Sequence, residues 1–116
     1  NSQAKLVQAE KSIELDEARR LEIEQQIAER IINLYNQALT YREIVFIKSN
    51  EIVTQEINLQ NAKQSYEIGE VPAMELARIT EIASKAKENH ALAMKELRTA
   101  LFLMIELVGR GDITTW

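Results

Sequence analysis

The single histidine of this 116-residue chain, His90, is the side chain best suited to acid–base or metal chemistry. A di-metal site in a helical bundle uses Glu-x-x-His pairs, but the residue three positions before His90 is Lys87. The chain has no cysteine, which excludes a thiolate nucleophile and a disulfide. No histidine is placed to activate the serines, which are Ser2, Ser12, Ser49, Ser65 and Ser84. We predict no enzyme activity, no catalytic residue, no cofactor and no metal site, and we expect His90 to pack between helices.

Composition and charge narrow the possible partners and favour helix. Hydrophobic residues make up 46% of the chain, and there are three glycines and one proline, which is typical of an all-α protein. The net charge is −4 and the basic residues are scattered among acidic ones, so we expect no nucleic acid partner. The most apolar stretch, residues 100–108, is too short to span a bilayer and contains Glu106. We therefore expect no direct membrane insertion by this segment.

The elements that must position any functional residue are two heptad-patterned helices. Helix one is predicted over about residues 3–68, where there is neither glycine nor proline. Steps of three and four residues define its packing seam, typical of a coiled coil: Ile27, Ile31, Leu34, Ala38, Tyr41, Val45, Ile52, Leu59, Ala62 and Tyr66. A second seam, displaced by one residue, predicts further neighbours: Leu21, Ala28, Ile32, Tyr35, Leu39, Phe46 and Val53.

A turn over residues 69–72 separates helix one from helix two. Gly69 can adopt the left-handed conformation after a helix end, and Pro72 suits the first position of the next helix. Helix two is predicted over about residues 73–108, before Gly109, and a tail over 109–116. Its seam has the same spacing: Leu76, Ile79, Ala83, Ala86, His90, Ala93, Leu97, Ala100, Met104 and Leu107. The cluster at residues 101–105 is apolar around the whole helix, so we expect it to be buried on several sides.

The predicted fold is all-α, a long antiparallel helical hairpin of coiled-coil type forming a single domain over residues 1–116. Helix one would be roughly 100 Å long and helix two about 50 Å, leaving the first half of helix one without a partner in the same chain. That half carries Leu6, Ile13, Leu21, Ile23, Ile27 and Ile31, so we expect another subunit or a missing segment of a larger protein to cover it, and we predict self-association through helix one. A three-helix bundle forms instead if helix one breaks near residues 33–40. The lack of glycine and proline there favours the unbroken helix.

The residues around the turn resemble the outer-membrane efflux protein family (TolC-like). The resemblance rests on Tyr66-Glu67-Ile68-Gly69, on Leu76, Ala77 and Ala83 in the next helix, and on Leu107-Val108-Gly109. In that family a long helix runs down into the periplasm, turns at a Tyr-x-x-Gly tip and returns as a shorter helix. Pro72 is a departure from this pattern, and a second hairpin and barrel strands, which family members have, are absent from these 116 residues.

The resemblance implies a non-enzymatic piece of a trimeric helical conduit, in the periplasm and associated with the outer membrane. A periplasmic adaptor protein would then dock at the tip, on Tyr66, Gly69, Val71, Pro72 and Met74. A free-standing coiled-coil scaffold or oligomerisation module with no transport role would explain the two seams equally well.

Overall fold

Two α-helices pack antiparallel and account for nearly all of the residues that the structure describes. The structure is a computed structural model that describes residues 1–114, with side chains described as far as residue 110. Helix α1 spans Ser2–Glu67 and helix α2 spans Ala73–Thr114, and together they form a rod 99 Å long with a cross-section of 21 by 15 Å. The Cα radius of gyration is 27.4 Å, about twice the ~13 Å of a compact chain of this length. The prediction of an all-α helical hairpin is confirmed.

Helix α1 begins at a polar cap and continues without a break. Asn1 caps it, because the Ala4 N–H donates to Asn1 Oδ1 at 2.8 Å. Between residues 33 and 40 the helix stays regular, and the Thr40 hydroxyl donates to the Asn36 carbonyl one turn earlier at 3.1 Å. Leu34 is buried in the same stretch. The three-helix bundle that we kept as an alternative is therefore not formed.

The turn after α1 is a Schellman motif built around Gly69. The Glu70 N–H donates to the Ser65 carbonyl at 2.8 Å, and the Gly69 N–H donates to the Tyr66 carbonyl at 3.0 Å. These are the two bonds that define the motif, and they satisfy carbonyls that would otherwise be unpaired at the helix end. Gly69 has φ +80°, the left-handed conformation expected of it.

Pro72 is the residue that directly precedes helix α2. Its carbonyl accepts the Glu75 N–H at 3.1 Å and the Leu76 N–H at 3.3 Å, so Pro72 flanks α2 as its N-terminal cap residue and Ala73 is the first helical residue. Pro72 is thus the last residue of the predicted turn over residues 69–72, and it is not itself the first helical residue, the position that it was expected to suit. Pro72 has no N–H group, so this residue itself has no backbone donor that needs a partner at the helix end.

Helix α2 continues past its predicted end. It passes through Gly109 and reaches Thr114, whereas the sequence predicted an end at residue 108. Gly109 does not adopt a positive φ, so it does not terminate the helix as Gly69 does. A helical glycine costs only about 1 kcal/mol, and its neighbours can outweigh that cost. Of the predicted tail over 109–116, residues 109–114 are helical, and Thr115 and Trp116 lie outside the described residues.

The core of the hairpin consists mostly of alanine. All ten predicted seam residues of α2 are buried or half-buried, and so are those of α1 from Ile27 to Ala62. Leu34, at 1% exposure, is the largest side chain that is fully buried. The other buried apolar residues are all alanines: Ala38, Ala62, Ala83, Ala86, Ala93 and Ala100. Small side chains at the seam allow close approach of the helices but bury little volume.

The N-terminal part of α1 extends beyond α2. Helix α1 has 66 residues and α2 has 42, so about a third of α1, or roughly 35 Å, has no helix beside it. Every residue from 1 to 23 is exposed, including Leu6 and Ile13 on the line of the seam. We call residues 2–23 the overhang. The prediction that half of α1 lacks a partner is too large, because α2 is longer than predicted and half-buries Ile27 and Ile31.

We expect substitutions at Gly69 and Gly109 to have opposite effects on stability. Gly69→Val should lower the free energy of unfolding by roughly 1 kcal/mol or more, because a β-branched residue resists positive φ. An added Cβ at Gly69 meets no atom within 4 Å, so the cost is backbone strain and not a clash. Gly109→Ala should instead raise stability by roughly 0.5–1 kcal/mol, since the site is helical and open. Urea unfolding followed by circular dichroism measures both, and equal effects of the same sign would contradict the assigned conformations.

Candidate interaction surfaces

No grouping of residues suited to metal chemistry is found in the described part of the chain. Groups of three or more His, Cys, Asp or Glu side chains that could hold a metal ion are absent among those residues. His90 lies half-buried on the seam of α2, one turn from the buried residues Ala86 and Ala93. Ser49 donates its hydroxyl to the Phe46 carbonyl at 2.8 Å, a bond within its own helix.

The turn end exposes a cluster of apolar side chains. Met74 is 83% exposed and Ile68 is 70% exposed, and the predicted docking residues Tyr66, Gly69 and Pro72 are exposed as well. Val71 differs from them, since it is half-buried and lines a groove with Ala62 and Ile79. Sequence reasoning missed Ile68 as a surface residue. Its position directly before the left-handed glycine, outside the seam spacing, was the available signal.

An ion pair fixes the first turn of α2 next to this cluster. Arg78 Nε donates to Glu75 Oε2 at 3.0 Å, and Arg78 Nη2 donates to Glu75 Oε1, so the guanidinium binds the carboxylate through both oxygens. The hydrogen bonds from Arg78 lower the pKa of Glu75, and the carboxylate in turn raises the pKa of Arg78. Glu75 also lies in the first turn of α2, where a negative charge is favourable.

A second ion pair shows which residues of the two helices share one flank of the hairpin. Lys87 Nζ lies 2.8 Å from Glu56 Oε1, and this contact joins α2 to α1. Both side chains are substantially exposed, so the pair contributes little stability. Glu56 follows seam residue Ile52 by four positions, and Lys87 follows seam residue Ala83 by four positions. Residues at heptad intervals from Glu56 and Lys87 therefore lie on the same flank.

This flank carries a long apolar surface on both helices towards the open end of the hairpin. On α1 it includes most of the predicted second seam, and on α2 it includes residues at equivalent heptad positions. We call it the apolar stripe, and its residues, all exposed, are Leu21, Ile32, Tyr35, Leu39, Phe46 and Val53 of α1 with Leu101, Ile105 and Val108 of α2. The expectation that residues 101–105 are buried on several sides is not met within this chain, since Ile105 is 68% exposed. The sequence alone did not show that these residues of α1 and α2 lie on one surface, because that depends on how the two helices pair.

The opposite flank is polar near the turn. A groove between the helices there is lined by six polar side chains and four apolar ones: Gln55, Asn58, Asn61, Ser65, Glu75 and Arg78, with Ala62, Val71, Ile79 and Ile82. Polar groups in this groove can bind water or a polar partner. The two flanks of the hairpin therefore differ in chemistry, and the apolar stripe is not a property of the whole surface.

The overhang combines exposed apolar residues with a mixed charge run. Leu6, Ile13, Leu21 and Ile23 are exposed there. Arg20 Nε lies 3.8 Å from Glu24 Oε1 in an i,i+4 pair, and both side chains are well exposed. Exposed pairs of this kind contribute little stability. The charge run is thus a solvated face, as expected from its spacing.

Comparison with known protein families, with curated proteins and with solved structures gives no match for this chain. Within the described residues, no helix has the length and hydropathy needed to cross a membrane. The class that the described residues define is a helical hairpin with three exposed apolar surfaces: the turn cluster, the apolar stripe and the overhang.

The Glu75–Arg78 pair predicts a pH dependence of stability. The pKa of Glu75 is lowered in the folded chain, so its contribution is present above its ordinary pKa of 4.5 and is lost as pH falls through the lowered value. Thermal unfolding of wild type and Glu75→Gln between pH 7 and pH 3 should show a Tm difference that shrinks below about pH 4.5. Glu81→Gln, an exposed glutamate of the same helix, is the matched control. A constant Tm difference across this range would show that the pair has no role in stability.

Proposed function

We propose that this chain is a non-enzymatic structural element that builds a helical conduit of the outer-membrane efflux type. The observation that carries the proposal is the hairpin with its unequal arms. Helix α1 outruns α2 by about a third of its length, and a capped Tyr-x-x-Gly turn presents apolar side chains at the other end. A long helix that turns at such a tip and returns as a shorter helix is the pattern that the resemblance implies.

The exposed area supports a role that depends on assembly. The chain exposes 9121 Å², compared with about 6,500 Å² for a compact monomer of this mass. Much of the excess is apolar, on the overhang and the apolar stripe, and large exposed apolar surfaces mark interaction sites. Hairpins packed side by side would cover this surface and form the wall of the conduit. The conduit would stand in the periplasm, in association with the outer membrane.

The turn cluster is the surface that we assign to a periplasmic adaptor. Tyr66, Gly69, Pro72 and Met74 are exposed at the end of the rod, where they stay accessible when hairpins pack along their length. Ile68 adds to this cluster. Val71 is half-buried and lines the groove between the helices, so it supports the turn and is less accessible to a partner. Apolar side chains held by a rigid, capped turn lose little entropy on binding.

The second candidate is a coiled-coil scaffold without a transport role. The heptad spacing of the apolar stripe favours it as much as it favours a conduit, since that spacing requires only a partner helix. The two candidates differ in the direction of the copies. A conduit that meets one adaptor needs all turns at the same end, whereas a scaffold has no such requirement.

A cysteine at the turn tests the direction of the copies. The chain has no cysteine, so Met74→Cys introduces a single thiol at a site that is 83% exposed. A short bismaleimide should link most Met74→Cys chains into covalent dimers if the turns lie together. Cross-linking of the same variant unfolded in urea measures how often links form by random collision. An assembly that remains intact by light scattering but forms no links would remove the conduit and favour the scaffold.

A further inference from the structure

We propose that the apolar stripe is the surface on which a second copy of this hairpin packs. The inference deepens the proposed function, because it names the partner and the interface of the assembling unit. It rests on that function in one respect, since it takes the neighbour to be another hairpin of the same kind. The direction in which the copies run is not part of the inference.

The area of the stripe is sufficient for a stable interface. Its nine large side chains are each between 37% and 68% exposed. A fully exposed side chain of this type offers roughly 60–120 Å² of apolar surface, and the nine exposed fractions together equal about five such side chains, so the stripe presents on the order of 300–600 Å². A standard interface buries about 800 Å² per partner, of which somewhat more than half is apolar. The stripe therefore supplies the apolar part of one such interface.

The shape of the stripe fits a hairpin better than a single helix. The α1 residues from Ile32 to Phe46 pair with the α2 region that contains Leu101, Ile105 and Val108, so both helices expose apolar side chains at the same level. A single partner helix would cover one of these rows well and the other poorly. Two hairpins facing each other form a four-helix bundle, in which each helix contributes a wide apolar face. A second copy presents the same two rows with the same length and spacing.

The charge of the chain argues against a lipid surface as the occupant. Helices that lie on membranes usually carry a basic polar face that binds anionic lipid, whereas this chain has 18 acidic and 14 basic residues. Arg42 and Arg98 are exposed at heptad positions within the stripe, and they would have to enter the apolar layer of a bilayer. Between two hairpins their long side chains can reach the rim of the interface.

Two neighbouring residues provide a matched pair of variants. Phe46 belongs to the stripe and is 66% exposed, while Ile47 points away from the stripe and is 49% exposed. Phe46→Glu should weaken self-association by at least about 30-fold, the effect expected when a central aromatic anchor is lost. Ile47→Glu should change it by less than about threefold. Light scattering over a concentration series measures the association, and circular dichroism confirms that the helices remain folded. Ile105→Glu, on the other helix, should repeat the result of Phe46→Glu.

The outcomes separate this inference from the conduit. A wild-type chain that is monomeric at all concentrations overturns the inference, as does equal weakening by Phe46→Glu and Ile47→Glu. A monomer that binds anionic vesicles also overturns it and assigns the stripe to a membrane surface. Loss of association in Phe46→Glu without links between Met74→Cys chains supports the stripe and removes the conduit. Links through Met74→Cys that persist when Phe46→Glu is added overturn the stripe and leave the conduit standing.

Discussion

The close contact between α1 and α2 runs through alanine side chains, and much of the rest of the structure depends on it. Ala83, Ala86, Ala93 and Ala100 of α2 are all at most 7% exposed. Alanine loses no side-chain entropy on burial, which favours a regular seam. Each methyl group nevertheless buries little apolar area, and this burial stabilises the fold by on the order of 1 kcal/mol. The hairpin therefore relies on these alanine contacts together with the fully buried Leu34 and the half-buried large residues of the two seams, such as Ile52 and Leu97.

The heptad position of each large residue explains which of them remain exposed. Tyr35, Leu39 and Phe46 are displaced by one position from seam residues, which rotates them out of the narrow space between the helices. They are left on one flank, where they are between 39% and 66% exposed. Burying such side chains is worth roughly 1.5–3 kcal/mol each, so their exposure is a strong driving force for association. The fold and the exposed apolar surface thus follow from the same arrangement.

The features predicted correctly from the sequence were those set by local spacing. Leu34, Ala62, Ala83 and Ala100 belong to seams whose apolar residues are spaced three or four positions apart. This periodicity alone places them on the buried face. The turn at Gly69 was equally readable, because positive φ after a helix end is a local requirement.

The features that the sequence did not predict depend on small energy differences or on pairing between helices. The end of α2 was misplaced because Gly109 can terminate a helix or continue it at a cost of about 1 kcal/mol, and here it continues. The length of the overhang was overestimated for the same reason. The apolar stripe was recognised on α1 but not on α2, because joining Phe46 to Ile105 requires the register shown by the Glu56–Lys87 contact. Of the turn cluster, the exposure of Ile68 was missed because seam spacing says nothing about residues beyond a helix end.

The different chemistry of the two flanks limits how hairpins can assemble. In a closed ring each hairpin has two neighbours, so a ring needs a second contact besides the apolar stripe. The opposite flank offers the polar groove that contains Gln55, Asn58 and Asn61, whose amide groups can both donate and accept hydrogen bonds. A pair of hairpins joined stripe to stripe would leave this groove in water at little cost, whereas a conduit would have to fill it with polar partners. Under the proposed conduit, the polar groups of this groove would therefore need partners that a simple pair of hairpins does not require.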